Sequence, residues 1–163
     1  MARETVILKQ PFVLFLIGMR INKWWKPWHW LPVFWAMGPM LKELRENPEL
    51  GLLGVRAWFG RTIILVQYWE SHDKLQAFAT STDHPHLPAW RHFNRRLKDT
   101  KSVGVWHETY QIEPGQFEGI YSSMPAFGLG TVFDRQEASG PLATAKGRLT
   151  AAQDANIKPP TDA

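Results

Sequence analysis

The residues best suited to chemistry in this chain are its histidines, and one of them stands in a helical pattern. On a helix starting near Pro85, His86, Trp90, Phe93 and Leu97 recur at i, i+4, i+7 and i+11 and share one apolar stripe, while His92 turns away with the arginines. An imidazole on that stripe needs a partner for each ring nitrogen. Two readings meet the need. One is a core histidine bonded to backbone. The other is an axial ligand to haem iron, for which neutral imidazole is the usual proximal group, with Trp90 and Phe93 as an aromatic wall.

A second constellation lies in Val105-Trp106-His107-Glu108-Thr109-Tyr110. Strand alternation puts His107 on one face with Val103, Val105 and Thr109, and Trp106 on the other with Glu108 and Tyr110. His107, Glu108, Arg20 and Tyr110 are the groups that could position or deprotonate an activated phenol or enol. Glu108 serves equally as a structural ion pair with Arg20 or Arg61. Asn22, at the exit of the first strand, is either a polar group facing a pocket or a turn residue. His84 and His86, two apart, cannot both reach one metal from a helix, and no third ligand stands at a zinc spacing. The absence of cysteine excludes disulfides, thiolate metal sites and cysteine nucleophiles. Phosphate loops, nucleophile elbows and dinucleotide fingerprints are missing too.

The elements that must position these groups follow from periodicity. Phe12 to Ile21 reads as a strand that is apolar on both faces. A tryptophan-rich connection with Pro27 and Pro32 leads to a helix carrying Val33, Met37, Met40, Leu41 and Leu44, with Pro32 in its first turn and a kink or break expected at Pro39. Leu50 to Phe59 and Thr62 to Trp69 read as strands joined at Gly60-Arg61. Ser71 is placed to cap a helix with Leu75, Phe78 and Ala79 inward. Thr82 to Pro88 interrupts it, a helical piece runs to about Leu97, and Val103 to Ile112 is the last strand, ended by Pro114-Gly115. The order β-α-β-β-α-β is the ferredoxin-like split unit, an α+β fold with helices on one sheet face. Strands apolar on both faces then call for a covering partner, and a homodimer supplies one. The expected domain spans residues 1–135, with an arm from about 115; residues 136–163 read as a largely disordered tail.

Composition sets the limits. The chain has 163 residues, 44% of them hydrophobic and 21% charged, the balance of a globular domain. The net charge is +4, with basic residues gathered on one helix face and no nucleic-acid motif. The apolar run from Pro11 to Met19 is shorter than the roughly 20 residues that span a bilayer, and a cytoplasmic location is expected. Five of the nine tryptophans fall between Trp24 and Trp35. They suit a core, an interface or a pocket wall, and their mixture with Lys23 and Lys26 also suits peripheral contact with a membrane surface.

Several stretches together carry a family resemblance: Phe15-Leu16-Ile17-Gly18-Met19-Arg20-Ile21-Asn22, Gln67-Tyr68-Trp69-Glu70-Ser71, His86-Leu87-Pro88-Ala89-Trp90-Arg91-His92-Phe93-Asn94, Gly104 to Tyr110 and Tyr121 to Gly130. Over about residues 10 to 135 the chain resembles a monooxygenase-like family of unassigned function, related to a fungal monooxygenase of the fumagillin pathway. The resemblance implies the dimeric α+β barrel superfamily, in which two ferredoxin-like units pack sheet to sheet. That superfamily includes cofactor-free monooxygenases, haem-degrading monooxygenases and aldoxime dehydratases. In its haem-degrading members the proximal histidine comes from the second helix and a polar residue of the first strand faces the distal side; His86 and Asn22 occupy comparable places, although the spacing around His86 departs from that motif. The implied activity is a monooxygenase-like oxidoreductase acting on an apolar or flat small molecule, with haem b on His86 or no cofactor. The alternatives are a haem-dependent lyase such as an aldoxime dehydratase, and a non-catalytic binder of haem or an apolar ligand. Fold membership alone does not choose among them.

Overall fold

A computed structural model describes residues 3–81 and 101–157. It divides the chain into two compact units, one of residues 14–109 and one of residues 1–13 with 110–163. The helical piece expected from near Pro85 to about Leu97, with His86, Trp90 and Phe93, lies outside the described residues.

The larger unit is built on a four-stranded sheet. Its strands are β2 (Phe12–Ile21), β3 (Leu52–Trp58), β4 (Thr62–Trp69) and β5 (Val103–Ile112), in the order β3-β4-β2-β5. The first and last of the four predicted strands, β2 and β5, thus lie side by side, the arrangement of a ferredoxin-like sheet. β3 and β4 form an antiparallel hairpin in which Trp58 opposes Ile64 and Arg56 opposes Val66, with a bulge between Leu52 and Gly54. The β-branched run of β4 alternates cleanly, with Leu65, Gln67 and Trp69 buried and Ile64, Val66 and Tyr68 half-buried. Gln67, a polar side chain in the core, accepts the Trp69 indole N–H at 2.8 Å.

Helix α1 spans Pro27–Glu46, so most of the tryptophan-rich connection is helix. Pro27, not Pro32, takes the first-turn position, where its missing N–H costs nothing. The helix also runs through Pro39, where a kink or break was expected. Both internal prolines lie on the exposed side, so the carbonyls deprived of their donors face outward. Helix α2 (His72–Thr80) is capped as the sequence predicts, with the Ser71 hydroxyl accepting from the Lys74 N–H at 3.2 Å. Leu75 and Phe78 are buried, Phe78 against Trp69 at 5.7 Å between ring centroids; Ala79 stays exposed.

The smaller unit contains a strand the sequence pattern did not reveal, β1 (Arg3–Val6), at the centre of a three-stranded sheet between β6 (Tyr121–Ser122) and β7 (Arg135–Glu137). Val6, Leu8, Phe12 and Leu129 form its core, with the Phe117 and Phe133 rings edge-on to Phe12. The tail expected to be largely disordered is ordered through residue 157. After β7 it forms a 3-10 turn (Gly140–Ala143) and helix α3 (Ala145–Ile157). A buried arginine and the buried Ala152 hold it. Arg148 donates from Nε to Glu118 at 2.7 Å and from Nη1 to the Leu142 carbonyl at 2.9 Å, anchoring an otherwise alanine-rich, weakly amphipathic helix.

Candidate functional site

Within the larger unit α1 does not close completely on the sheet. Between them lies a cavity of about 260 Å3. Its floor is one side of four strands, with Ile17 and Met19 from β2, Ala57 from β3, Ile63 and Leu65 from β4 and Val105 from β5. Its roof is the inner face of α1, where Val33, Phe34, Met37 and Leu41 recur at helical spacing. Every described lining side chain is apolar. At ~24 cal/mol per Å3, a dry empty space of that size would cost roughly 6 kcal/mol, an upper figure because the mouth is open. A loss of that order is comparable with the whole stability of a small domain, which favours a ligand site over a packing fault. Trp35, Gly38 and Phe59 line the space while remaining largely exposed, so they form its rim.

The polar candidates separate around this cavity. His107 lies on the cavity side of β5, two residues and roughly 7 Å along the strand from Val105. Its ring meets Phe15, the next inward residue of β2, at 5.7 Å between centroids. The His107–Phe15 pair therefore continues the cavity floor and adds a titratable, solvent-accessible group beside it. Glu108 points to the opposite sheet face, with Trp106. Arg20 is on that face as well, donating from Nη1 to the Thr62 hydroxyl at 3.2 Å. The structure thus puts His107 and the Glu108–Arg20 face on different sides of the sheet.

Asn22 takes the turn role. Its backbone N–H donates to the Ser102 carbonyl at 2.9 Å and its side-chain amide to the Lys101 carbonyl at 3.3 Å, fastening the end of β2 to the approach to β5. Next to it is a pair that no local pattern in the chain announces. His29 Nδ1, in the first turn of α1, lies 2.8 Å from the hydroxyl of the fully buried Ser102. The two residues are far apart in the chain, and neither belongs to a recognisable motif. No group of three histidine, cysteine or acidic side chains suited to a metal occurs among the described residues.

Residues 12–129 match the pattern of the Monooxygenase af470-like family, well over half of the chain. The chain belongs to that family. A curated relative, Monooxygenase af470 of Aspergillus fumigatus, is 27% identical over 131 residues, covering 69% of this chain and 43% of its own length. The chain therefore spans less than half of that relative. Among solved structures, an aldoxime dehydratase in complex with butyraldoxime superposes with a TM-score of 0.61 at 16% identity, over 95% of this chain and 44% of that one. SnoaB, a cofactor-independent oxygenase from Streptomyces nogalater, gives a TM-score of 0.40 at 15% identity, over 61% of this chain and 92% of that one. The fold of this Monooxygenase af470-like chain is a ferredoxin-like α+β fold.

Proposed function

We propose that this chain is a monooxygenase-like oxidoreductase that holds an apolar, flat small molecule between α1 and the sheet. The observation that carries this reading is the cavity itself, apolar on every wall and flanked by one titratable side chain. Such a site selects substrate by shape and desolvation, not by charge. In the cofactor-free form, His107 takes the proton of a bound phenol or enol, and the electron-rich anion supplies the electrons to oxygen. The balanced outcome for a phenol is a quinone, with one oxygen atom entering the ring and the other leaving as water. The water-poor cavity keeps the anion from being reprotonated by bulk solvent.

Haem b on His86, flanked by Trp90 and Phe93, is the other form of this reading, and it also admits a haem-dependent lyase. The described lining of the cavity offers no imidazole for iron and no cation for a propionate, so it does not by itself fit haem. No step is therefore routed through it. A sheet-to-sheet homodimer completes the proposal. The face opposite α1 exposes Trp58 beside Ile64 and Val66, an apolar surface a second copy would cover.

Two measurements test the reading. Phenylnaphthylamine, a flat apolar probe, should fluoresce in the wild-type cavity and lose about tenfold or more in affinity when Ala57→Trp fills the cavity from its floor. Unchanged binding would remove the cavity from the proposal. Protein supplied with haem should then be examined for a Soret band. A band abolished by His86→Ala establishes the haem form, whereas oxygen consumption by colourless protein with a phenolic substrate, lost in His107→Ala, establishes the cofactor-free one.

A further inference from the structure

The outer face of α1 is built unlike a solvated helix. From Trp28 to Pro39 every exposed residue is Trp, Leu, Pro, Ala or Gly, with no charged or hydrogen-bonding side chain besides the indoles. Trp28 is 65% exposed and Trp35 68%, and Trp24 and Trp25 just before the helix are 71% and 55% exposed. A helix whose inner face already packs on its own sheet should turn polar residues outward, and this one does not. The patch extends beyond the helix, because Phe59 at the tip of the β3–β4 hairpin is 71% exposed and meets Phe34 at 6.2 Å.

Charge selects the occupant. Between Thr5 and Lys42 the chain contains no acidic residue, and Lys23 and Lys26 flank the exposed Trp24 and Trp25. The neighbouring segments add Arg61 beside Phe59 and Lys101, again without an acid from Leu50 to Trp69. A second copy docked on the same face would bring these like charges together. An anionic lipid surface supplies both the apolar medium for the indoles and the counter-charge for the lysines. No described helix is long and apolar enough to cross a membrane. Depth is limited also by Pro32 and Pro39, which leave the Trp28 and Trp35 carbonyls without their i+4 donors; those carbonyls can be hydrated at headgroup level but not in hydrocarbon.

We propose that α1 lies in the plane of an anionic membrane surface, with Trp24, Trp25, Trp28, Trp35 and Phe59 inserted at headgroup depth and the basic residues at the lipid phosphates. Trp35 and Phe59 are also rim residues of the cavity, so its mouth opens toward the bilayer and an apolar ligand passes from lipid to protein without crossing water. Docking itself does not depend on what the cavity binds, so its failure leaves the proposed activity standing, and the reverse also holds.

The test is co-sedimentation of the full chain with vesicles of phosphatidylcholine alone and with about one-third phosphatidylserine, read together with indole emission. The wild type should partition onto the anionic vesicles with a blue shift and bind neutral ones more weakly. A Trp24→Ser/Trp25→Ser/Trp28→Ser variant, altered only at exposed positions, should lose about tenfold or more on both. Lys23→Gln/Lys26→Gln should lose about fivefold per lysine on anionic vesicles alone. The proposal is overturned if the wild type stays in the supernatant with anionic vesicles, or if the serine variant binds as well as it does. It is overturned too if light scattering shows that the serine changes dissolve a self-associated species while vesicle binding is absent, which would make the face a protein interface.

Discussion

At the scale of single residues, two close approaches determine what the chain tolerates. A methyl group on Gly18 would lie 2.6 Å from the Trp106 indole nitrogen and 2.7 Å from the Ile63 carbonyl oxygen. Neither neighbour can retreat easily, one being a strand backbone and the other a ring laid against it. Gly18→Ala should therefore destabilise by about 1–3 kcal/mol, seen as a lower midpoint in urea. In the smaller unit the Tyr121 hydroxyl accepts the N–H of buried Gly130 at 2.9 Å. Burial raises the phenol above its ordinary value of 10.0, outweighing the opposite effects of the Gly130 bond and Arg135. Because the folded state holds the proton more tightly, this contribution to stability is intact below about pH 10 and is lost as the pH rises through the folded value. Tyr121→Phe should cost about 1 kcal/mol at neutral pH and flatten the alkaline fall in stability, which unfolding curves across that range would show. The site residues were legible to differing degrees at this scale. Alternation alone placed His107 and Glu108 on opposite faces, whereas the Phe15 contact and the His29–Ser102 bond depend on packing that has no local signature.

At the scale of elements, α3 shows how two buried side chains can order a segment that composition assigns to disorder. Its residues lack a broad apolar stripe, and Arg148, paired with Glu118 far away in sequence, is its main polar anchor beside the buried Ala152. Arg148→Ala should release the helix at a cost of about 2 kcal/mol, with hydrogen exchange in residues 145–157 rising while β4 stays protected. The strands β2, β4 and β5 were readable to their ends because apolar runs bounded by turn residues have one reasonable interpretation. The start of α1 was not, since Pro27 and Pro32 among tryptophans resemble a connection. What decided it was the inner stripe from Val33 to Leu44, whose packing on the sheet outweighs the local penalty of two prolines. β1 was missed because a short strand with polar residues on one side carries little periodic signal.

For the whole molecule, the sequence already required the sheet to be covered on both sides, and the family resemblance named the usual solution. The proposed homodimer makes a direct prediction. Val66→Glu, on the face opposite α1 and directly across from Arg56, places a carboxylate where the second sheet would pack. It should shift the light-scattering mass from dimer to monomer without opening the cavity, as unchanged phenylnaphthylamine binding would show. The distribution of indoles has a practical consequence for such work. Of the tryptophans in the described residues, Trp24, Trp25, Trp28, Trp35 and Trp58 are exposed, while Trp69 is sealed against Gln67 and Phe78. The emission of the folded protein is therefore weighted toward wet indole, and a denaturation curve followed by total fluorescence will under-report loss of the core. A variant retaining Trp69 as its sole emitter would convert the same spectrum into a gauge of the α2 side of the sheet.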